Sequence, residues 1–215
     1  LIIQGGHQLH GVCFRIPADR IVAGTYLMSV LGTGGNIFLE DAPVSQMQSM
    51  LKTAEEIGAQ IHISREGLLV IAGEELRSIP YLKTEVYPGF PTDMQSPLMA
   101  ALTCIRGKSL IEETIFEDRF RIVEQLKKMG ACIELKGKRQ AVIVGTDSLL
   151  GCEVRAQELR GGAALVIAGC MALGETVITN RHFIERGYED ICRDYQNLGV
   201  NIRIGESDGK DKNVP

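Results

Sequence analysis

The chain has 215 residues, of which 45% are hydrophobic, and its 27 acidic and 23 basic side chains give a net charge of -4. A chain of this length and composition can bury a sizeable core, as one large domain or two small ones. It has no basic run, no charged-then-apolar leader and no apolar run of about 18 residues that could span a membrane, so we expect a cytoplasmic protein whose partners are neither membranes nor nucleic acid.

Cysteines and histidines give no sign of a metal or redox centre. The six cysteines lie far apart without a CxxC pair, and the four histidines have no ligand spacing. Buried, reduced thiols suit this pattern better than a disulfide framework or a zinc site. The sequence also has no P-loop, GxGxxG or GxSxG motif, so we expect no metal and no cofactor.

Three stretches of similar design follow one another along the chain. Each has an early helix that is apolar nearly all round, predicted at Ile21–Leu31, Pro97–Ile105 and Ala163–Leu173. A strand follows each of these helices, at Asn36–Glu40, Ser109–Glu113 and Thr176–Thr179. An amphipathic helix and then a strand pair come next, with the pairs at Ile61–Ile63 and Leu68–Ile71, and at Cys132–Leu135 and Ala141–Val144. Helices that are apolar on every side are buried, whereas amphipathic helices keep one wet face.

The glycines that end the amphipathic helices mark the repeat. Gly58, Gly130 and Gly199 stand in the same phrase and lie 72 and 69 residues apart. Glycine is the usual left-handed cap of a helix. We therefore predict an α/β fold of three β-α-β-α-β-β units, at about 6–73, 74–145 and 146–204, around the buried helices. These units form one domain over residues 1–205, and a polar tail follows at 206–215.

The two ends of the chain complement each other. Unit three stops after Ile202–Ile204 and lacks its fourth strand, while Leu1–Gly5 resembles the fourth strands at Leu69–Gly73 and Val142–Gly145. Residues 1–5 are therefore predicted to be a closing strand, either within the same molecule or by exchange with a second copy. The chain also opens without a methionine, and from this we expect a piece of a longer protein.

A carboxylate stands immediately before each apolar helix. These residues are Asp19, Asp93 and Glu158. A carboxylate at a helix start accepts free backbone N–H groups and is favoured by the helix dipole, so capping explains all three. Asp93 has a second interpretation, because the run Pro88–Pro91 fixes its approach more tightly than a cap requires. A carboxylate held in this way at a cleft edge can act as a general base.

Arginines stand at equivalent positions of the units. Arg119 and Arg186 lie at the entry to the second helix of units two and three, and Arg160 opens the apolar helix of unit three. Equivalent helix starts converge if the units surround a common axis, and arginine binds phosphate or carboxylate in a bidentate manner. The pattern therefore predicts one anion site, although an isolated arginine is usually a solvated surface charge.

Four segments resemble the successive signatures of one enzyme family. They are Tyr87–Gln95, Thr114–Phe120, Glu158–Arg160 and Arg186–Glu189. Together they resemble the UDP-N-acetylglucosamine 1-carboxyvinyltransferases, the enolpyruvyl transferases of peptidoglycan precursor synthesis. The resemblance covers residues 1 to 205. It implies the enolpyruvyl transferase fold, an inside-out α/β domain of three repeated units around buried helices, and it implies that this chain is the C-terminal half of such a protein.

The resemblance also implies roles for individual residues. Asp93 is expected to be the catalytic base or orienting group beside the sugar hydroxyl that attacks phosphoenolpyruvate. The backbone of Ile115 is expected to contact the amino sugar. Arg119 and Arg160 are expected to line the substrate cleft, and Arg186 is the strongest candidate for a direct contact with phosphoenolpyruvate.

Some positions depart from the family pattern. The family usually has Asp where Glu158 stands, so the longer side chain of this expected substrate-binding residue alters the contact. It often has Asn where Asp118 stands. The family's reactive cysteine, and the lysine and arginine that complete the phosphoenolpyruvate site, belong to the other half. We therefore expect the isolated chain to be catalytically incompetent, with the missing N-terminal half as its protein partner and UDP-N-acetylglucosamine and phosphoenolpyruvate as substrates.

Two alternatives stay open. One is a stand-alone, non-catalytic ligand-binding or interaction domain of the same fold. The other is the enolpyruvyl transferase of the shikimate pathway, which shares the fold, although the Phe90–Gln95 motif favours the amino-sugar enzyme.

Overall fold

The computed structural model describes residues 2–6 and 8–205, so the predicted tail at 206–215 lies outside the described residues. The helices are α1 (Arg20–Thr33), α2 (Gln48–Ile57), α3 (Gln95–Leu102), α4 (Ile122–Lys128), α5 (Leu159–Met171), α6 (His182–Glu185) and α7 (Ile191–Asn197). Short 3-10 helices lie at Val44–Gln46, Thr92–Met94 and Arg119–Arg121. The strands are β1 (Asn36–Glu40), β2 (Gln60–Ile63), β3 (Gly67–Ile71), β4 (Tyr81–Lys83), β5 (Lys108–Glu112), β6 (Cys132–Lys136), β7 (Gln140–Val144), β8 (Leu149–Leu150), β9 (Glu153–Arg155), β10 (Ala172–Leu173) and β11 (Val177–Thr179).

The apolar helices α1, α3 and α5 form the centre of the molecule. They pack against one another in all three pairs, and every residue of α3 is buried. Small residues let their backbones approach closely. A Cβ at Gly32 of α1, for example, would lie 3.4 Å from the Cα of Ala101 in α3 and 2.5 Å from the sulfur of Met171 in α5. The predicted layout of units around buried helices is confirmed.

The amphipathic helices α2, α4 and α7 lie outside this centre. In α2, the buried apolar residues Met50, Leu51, Ala54 and Ile57 share one face, as the 3.6-residue period requires. The glycine after each of these helices has a positive φ, of 115° at Gly58, 93° at Gly130 and 89° at Gly199. Glycine adopts this left-handed conformation without the steric cost of a Cβ. The three predicted caps are therefore confirmed.

Units three and one are joined through α7 and α1. The hydroxyl of Tyr26 in α1 donates to Asp194 in α7 over 2.6 Å. The hydroxyls of Ser29 and Tyr195 lie 2.5 Å apart on the same two helices. Because Tyr195 is buried, its hydroxyl needs such a partner. These contacts bring the last unit of the chain against the first.

Unit two has a complete four-stranded sheet. Its order is β4-β5-β7-β6. Strands β4 and β5 are parallel and are connected through α3, whereas β7 is antiparallel to both of its neighbours. In this arrangement the third strand of the unit, β6, pairs only with the fourth strand, β7.

The sheets of units one and three are smaller. Unit one has the order β1-β3-β2, and unit three pairs β9 with β11. The first strand predicted for unit one is wrong, because none of the described residues before α1 forms a strand in the place of β4. The predicted strand at Ile202–Ile204 is wrong, because the structure assigns no strand to these residues. The topology of unit two explains why. A third strand pairs only with a fourth strand, and the described residues of unit three contain no fourth strand.

The closing strand predicted at residues 1–5 does not form within this chain. Residues 2–5 belong to no strand, and Ile2 and Ile3 are 96% and 81% exposed; Leu1 lies outside the described residues. Two features disfavour pairing of this segment with β11. The long connection between the segment and α1 would have to be fixed in place, which costs loop entropy. In addition, β11 offers an edge of only three residues. Exchange of this strand between two copies stays a prediction.

The cysteines are free, as expected, but none of them is fully buried. Cys13 and Cys132 are exposed, and the other four are partly exposed. In the described part of the chain, no helix is both long enough and apolar enough to cross a membrane.

Candidate functional site

The approach to α3 fixes the position of Asp93. The stretch before it turns back on itself, so that the N–H of Glu85 donates to the carbonyl of Phe90 over 2.9 Å. Pro91 then holds an extended conformation, with φ of -72° and ψ of 135°, before the short 3-10 helix Thr92–Met94 begins. Phe90 and Pro91 are buried. The chain therefore enters α3 on a rigid path, with Asp93 in the 3-10 helix that directly precedes α3.

Only two of the three carboxylates before the central helices act as caps. Asp19 accepts the N–H groups of Ile21 and Val22 at the start of α1, over 2.7 and 3.3 Å. Glu158 accepts the N–H groups of Arg160, over 2.8 Å, and of Gly161 at the start of α5. The side chain of Asp93 makes no capping hydrogen bond. It faces two guanidinium groups instead, so the capping interpretation fails at this position.

An ion-pair cluster forms around Asp93. Its Oδ1 lies 2.6 Å from Nη2 of Arg119, and its Oδ2 lies 3.3 Å from Nη2 of Arg160. Nη1 of Arg119 lies 3.5 Å from Oε2 of Glu158. The two arginine side chains are only 17% and 14% exposed. The structure thus brings together four of the predicted site residues, two from unit two and two from unit three.

Local structure orients both arginines. Arg119 opens a short 3-10 helix and follows Asp118, whose φ of 56° is left-handed. Asp and Asn tolerate this conformation better than most residues, which fits the Asn that the family often has there. The guanidinium carbon of Arg119 also lies 5.1 Å from the centre of the Phe116 ring, within cation–π range. Arg160 is held by α5, of which it is the second residue.

Arg186 takes no part in the ion pairs of the cluster. It is exposed, and it forms no ion pair with the described residues. The structure thus pairs Arg119 and Arg160 through Asp93, whereas Arg186 forms no ion pair with that carboxylate. The physical reason is its position at the end of the short helix α6, where its side chain faces solvent. Its contact with phosphoenolpyruvate stays a prediction.

A cleft of about 310 Å³ opens beside Asp93. Its lining includes Asp93, Arg119 and Ile115. This volume is at the lower end for a small-molecule site, where about 300 to 1,000 Å³ is usual. The sequence analysis missed two further lining residues, Arg20 and Tyr87, whose guanidinium carbon and ring centre are 5.9 Å apart. An arginine that begins a helix and a tyrosine before a proline are too common to signal a site by themselves.

The sequence analysis also missed Glu113, which is 1% exposed. One carboxylate oxygen of Glu113 accepts the N–H groups of Ile115, over 2.8 Å, and Phe116, over 3.1 Å. The other accepts the hydroxyl of Thr92 over 2.9 Å. Because Glu113 ends a predicted strand, its sequence position gave no signal of this role.

Tyr188 connects the cluster to the centre of the fold. It is 4% exposed, and its hydroxyl lies 2.7 Å from that of Thr25 in α1. Burial raises the pKa of Tyr188, while the bond to Thr25 and the nearby Arg160 act in the opposite direction. Tyr188 therefore stays protonated at neutral pH and serves as a neutral hydrogen-bonding group behind Arg160.

The ion-pair cluster is balanced in charge. Among the described residues, no three His, Cys, Asp or Glu side chains are grouped so that they could hold a metal ion. The cluster contains two carboxylates and two guanidinium groups, so its formal charge is zero. Nη1 of Arg160 is buried and has no hydrogen-bond partner within the described part of the chain.

Comparison with known proteins gives consistent results. The family model described as EPSP synthase (3-phosphoshikimate 1-carboxyvinyltransferase) matches residues 1–195. The protein named UDP-N-acetylglucosamine 1-carboxyvinyltransferase of Methylacidiphilum infernorum is 44% identical over 202 residues, which cover 94% of this chain and 48% of that relative. The protein of the same name from Halothermothrix orenii is 40% identical over 201 residues, again with 94% and 48% coverage. The chain thus spans about half the length of these curated relatives.

Solved structures show a similar fold. The enolpyruvyl transferase NikO from Streptomyces tendae matches with a TM-score of 0.77 and 23% identity, covering 86% of this chain and 44% of its own. EPSP synthase from Acinetobacter baumannii matches with a TM-score of 0.61 and 21% identity, covering 80% of this chain and 42% of its own. Identities this low carry an argument about the fold alone.

Proposed function

The chain belongs to the EPSP synthase family of enolpyruvyl transferases. Within this family, we propose that it is the C-terminal half of a UDP-N-acetylglucosamine 1-carboxyvinyltransferase. The complete enzyme would transfer the enolpyruvyl group of phosphoenolpyruvate to the 3'-hydroxyl of UDP-N-acetylglucosamine, in the cytoplasmic synthesis of peptidoglycan precursors. The names of relatives that are 40% and 44% identical support the choice of substrate.

One observation carries the proposal. Asp93 is the carboxylate that does not cap its helix, and it stands instead on the wall of the cleft between two guanidinium groups. Its side chain is 35% exposed, so a substrate hydroxyl can reach it. In the proposed reaction, Asp93 orients the 3'-hydroxyl and takes its proton as the oxygen attacks C2 of phosphoenolpyruvate. C3 gains a proton in this addition, and loss of a proton from C3 and of phosphate from C2 of the resulting tetrahedral intermediate then yields the enolpyruvyl ether and inorganic phosphate.

The neighbouring arginines have a matching role. Phosphoenolpyruvate carries a phosphate and a carboxylate, so its site needs several cations, and charge that develops in the reaction must be stabilised in a closed cleft. Arg119 and Arg160 are already shared with Asp93 and Glu158. The cluster alone therefore supplies no net positive charge. We infer that cations from the missing half complete the site, with Arg186 from this half, and that the isolated chain releases no phosphate.

Complementation tests this proposal. The purified chain is mixed with the separately expressed portion of a longer relative that this chain does not span. Phosphate release from phosphoenolpyruvate is then measured in the presence of UDP-N-acetylglucosamine. We expect no release by either part alone, release by the mixture, and loss of that release with Asp93→Asn. Asp19→Asn is the matched control, because it changes an equivalent carboxylate that only caps a helix. Release by the chain alone would contradict the proposal.

The shikimate-pathway reaction is the second candidate, and the description of the matching family model favours it. The same assay separates the two, because shikimate 3-phosphate can replace UDP-N-acetylglucosamine as the hydroxyl donor. Release with shikimate 3-phosphate but not with the amino sugar would assign the chain to that reaction. Ligand binding without release in any mixture would favour the non-catalytic domain.

A further inference from the structure

Glu113 is a buried carboxylate without a cation beside it. It follows β5 directly, and its N–H donates to the carbonyl of Arg139 over 2.8 Å, so its backbone is fixed. Within the described part of the chain, no Lys, Arg or His nitrogen lies within 4.0 Å of its carboxylate. A buried charge of this kind is costly unless hydrogen bonds compensate it. The partners of Glu113 therefore explain why it is there.

Its first oxygen holds the segment that lines the cleft. Oε1 accepts two consecutive N–H groups, those of Ile115 at 2.8 Å and Phe116 at 3.1 Å. Two amides that share one oxygen fix the peptide plane between them. The backbone of Ile115, which is expected to face the amino sugar, is therefore oriented by Glu113.

Its second oxygen reaches the ion-pair cluster through Thr92. The Thr92 hydroxyl donates to Oε2 of Glu113 over 2.9 Å, and the same hydroxyl oxygen accepts Nε–H of Arg119 over 3.3 Å. A hydroxyl has one hydrogen to donate and lone pairs to accept, so the carboxylate fixes the direction of both bonds. Arg119 then donates from Nη2 to Asp93 over 2.6 Å.

We propose that Glu113 is the positioning residue of this site, because a single carboxylate orients the Ile115 backbone and, through Thr92, the Arg119 guanidinium beside Asp93. The inference rests on the proposed function, since the value of this orientation lies in substrate binding at Asp93 and Ile115. Glu113 itself lies behind the wall of the cleft and touches no substrate.

Substitutions of Glu113 distinguish the roles of its two carboxylate oxygens. In Glu113→Gln, the amide oxygen still accepts from Ile115 and Phe116, but its NH₂ group faces the Thr92 hydroxyl. Thr92 must then accept from that amide and has no acceptor for its own hydrogen. Arg119 is left with an acceptor that no carboxylate polarises. Glu113→Ala removes both sets of bonds.

The experiment uses nuclear magnetic resonance of the full chain without ligand. The signals observed are the backbone amides of Ile115 and Phe116 and the Nε–H group of Arg119. We expect Glu113→Gln to shift the Arg119 signal and speed its exchange with solvent, while the two amides stay near their wild-type positions. Glu113→Ala should move all three signals. The matched control is Glu112→Gln, which alters the neighbouring carboxylate that accepts from Tyr81 and should move none of them.

Substitutions of Thr92 test the hydrogen-bonded connection between Glu113 and Arg119 without altering the buried carboxylate. Thr92→Val should reproduce the Arg119 shift of Glu113→Gln, whereas Thr92→Ser should keep the wild-type signal. Binding of UDP-N-acetylglucosamine should weaken on the order of tenfold in Glu113→Gln, since one hydrogen bond to a charged group is affected.

A wild-type Arg119 signal in Glu113→Gln, or an equal shift in Glu112→Gln, would overturn the inference. If Glu113→Gln does not fold, the two Thr92 variants decide the role of Glu113. Equal Arg119 signals in Thr92→Val and Thr92→Ser would then overturn the inference. A wild-type chain that binds no UDP-N-acetylglucosamine would count against the proposed function, while the signals of Arg119 still decide the role of Glu113.

Discussion

Replacing Asp19 by alanine should destabilise the fold, because it removes the cap of α1. Asp19 accepts two N–H groups at the start of α1, over 2.7 and 3.3 Å. Loss of such a cap costs about 1 kcal/mol, within a range of roughly 0.5 to 2. In a domain of this size, about 1 kcal/mol corresponds to a fall of roughly 2 to 4 °C in the melting temperature. The effect reaches the centre of the molecule, because α1 packs against both α3 and α5.

Thermal and urea unfolding, followed by circular dichroism, measure this loss. Asp19→Asn is the control, because asparagine caps helices about as well as aspartate while it removes the charge. We expect Asp19→Asn to stay close to wild type and Asp19→Ala to lose stability. Equal melting temperatures for Asp19→Ala and wild type would refute the assignment of Asp19 as a structural cap.

Three further outcomes are expected. Burial raises the pKa of Cys170 to about 11, so iodoacetamide should alkylate Cys170 far more slowly at pH 8 than the exposed Cys132. The alkylation rate of Cys170 should rise as the pH approaches 11. Equal alkylation rates of the two cysteines at pH 8, measured by mass spectrometry, would contradict this. Tyr26→Phe removes the 2.6 Å bond to Asp194 and should cost on the order of 1 to 3 kcal/mol in urea unfolding; an unchanged midpoint would count against this join between units. If two copies exchange residues 1–5, light scattering should detect a dimer that their deletion converts to a monomer, and a monomer at all concentrations would refute exchange.

Local sequence signals predicted the repeat and its centre well. Gly58, Gly130 and Gly199 predicted three helix ends, because few residues other than glycine adopt the left-handed conformation that follows a helix. The apolar stretches announced buried helices, although α3 begins at Gln95, two residues before the predicted start, and ends at Leu102. Proline at position 97 fits this start, since the first turn of a helix needs no N–H bond from it.

Strands were harder to predict, since a strand depends on a partner that is distant in sequence. Ile202–Ile204 has an alternating pattern like that of Cys132–Leu135. The latter forms a strand because β7 lies beside it, whereas the former has no such neighbour among the described residues. Pattern alone could not distinguish the two.

Sequence patterns alone were also insufficient to predict the site. Asp19, Asp93 and Glu158 occupy equivalent sequence positions. Only the structure reveals that Asp93 pairs with arginines and caps nothing, that Asp19 caps its helix, and that Glu158 does both. Arg186 also occupies an equivalent position, yet it forms no ion pair with the described residues. Glu113 could not be found from sequence, since its role depends on the approach of Thr92 from another part of the unit.

We propose that Asp93, Arg119 and Ile115 form one wall of an amino-sugar site. A titration of the isolated chain with UDP-N-acetylglucosamine, observed through its backbone amides, tests this directly. We predict signal changes confined to the residues that line the cleft beside Asp93, lost in Asp93→Asn and kept in Asp19→Asn. Changes centred elsewhere on the chain, or unaffected by Asp93→Asn, would contradict the claim.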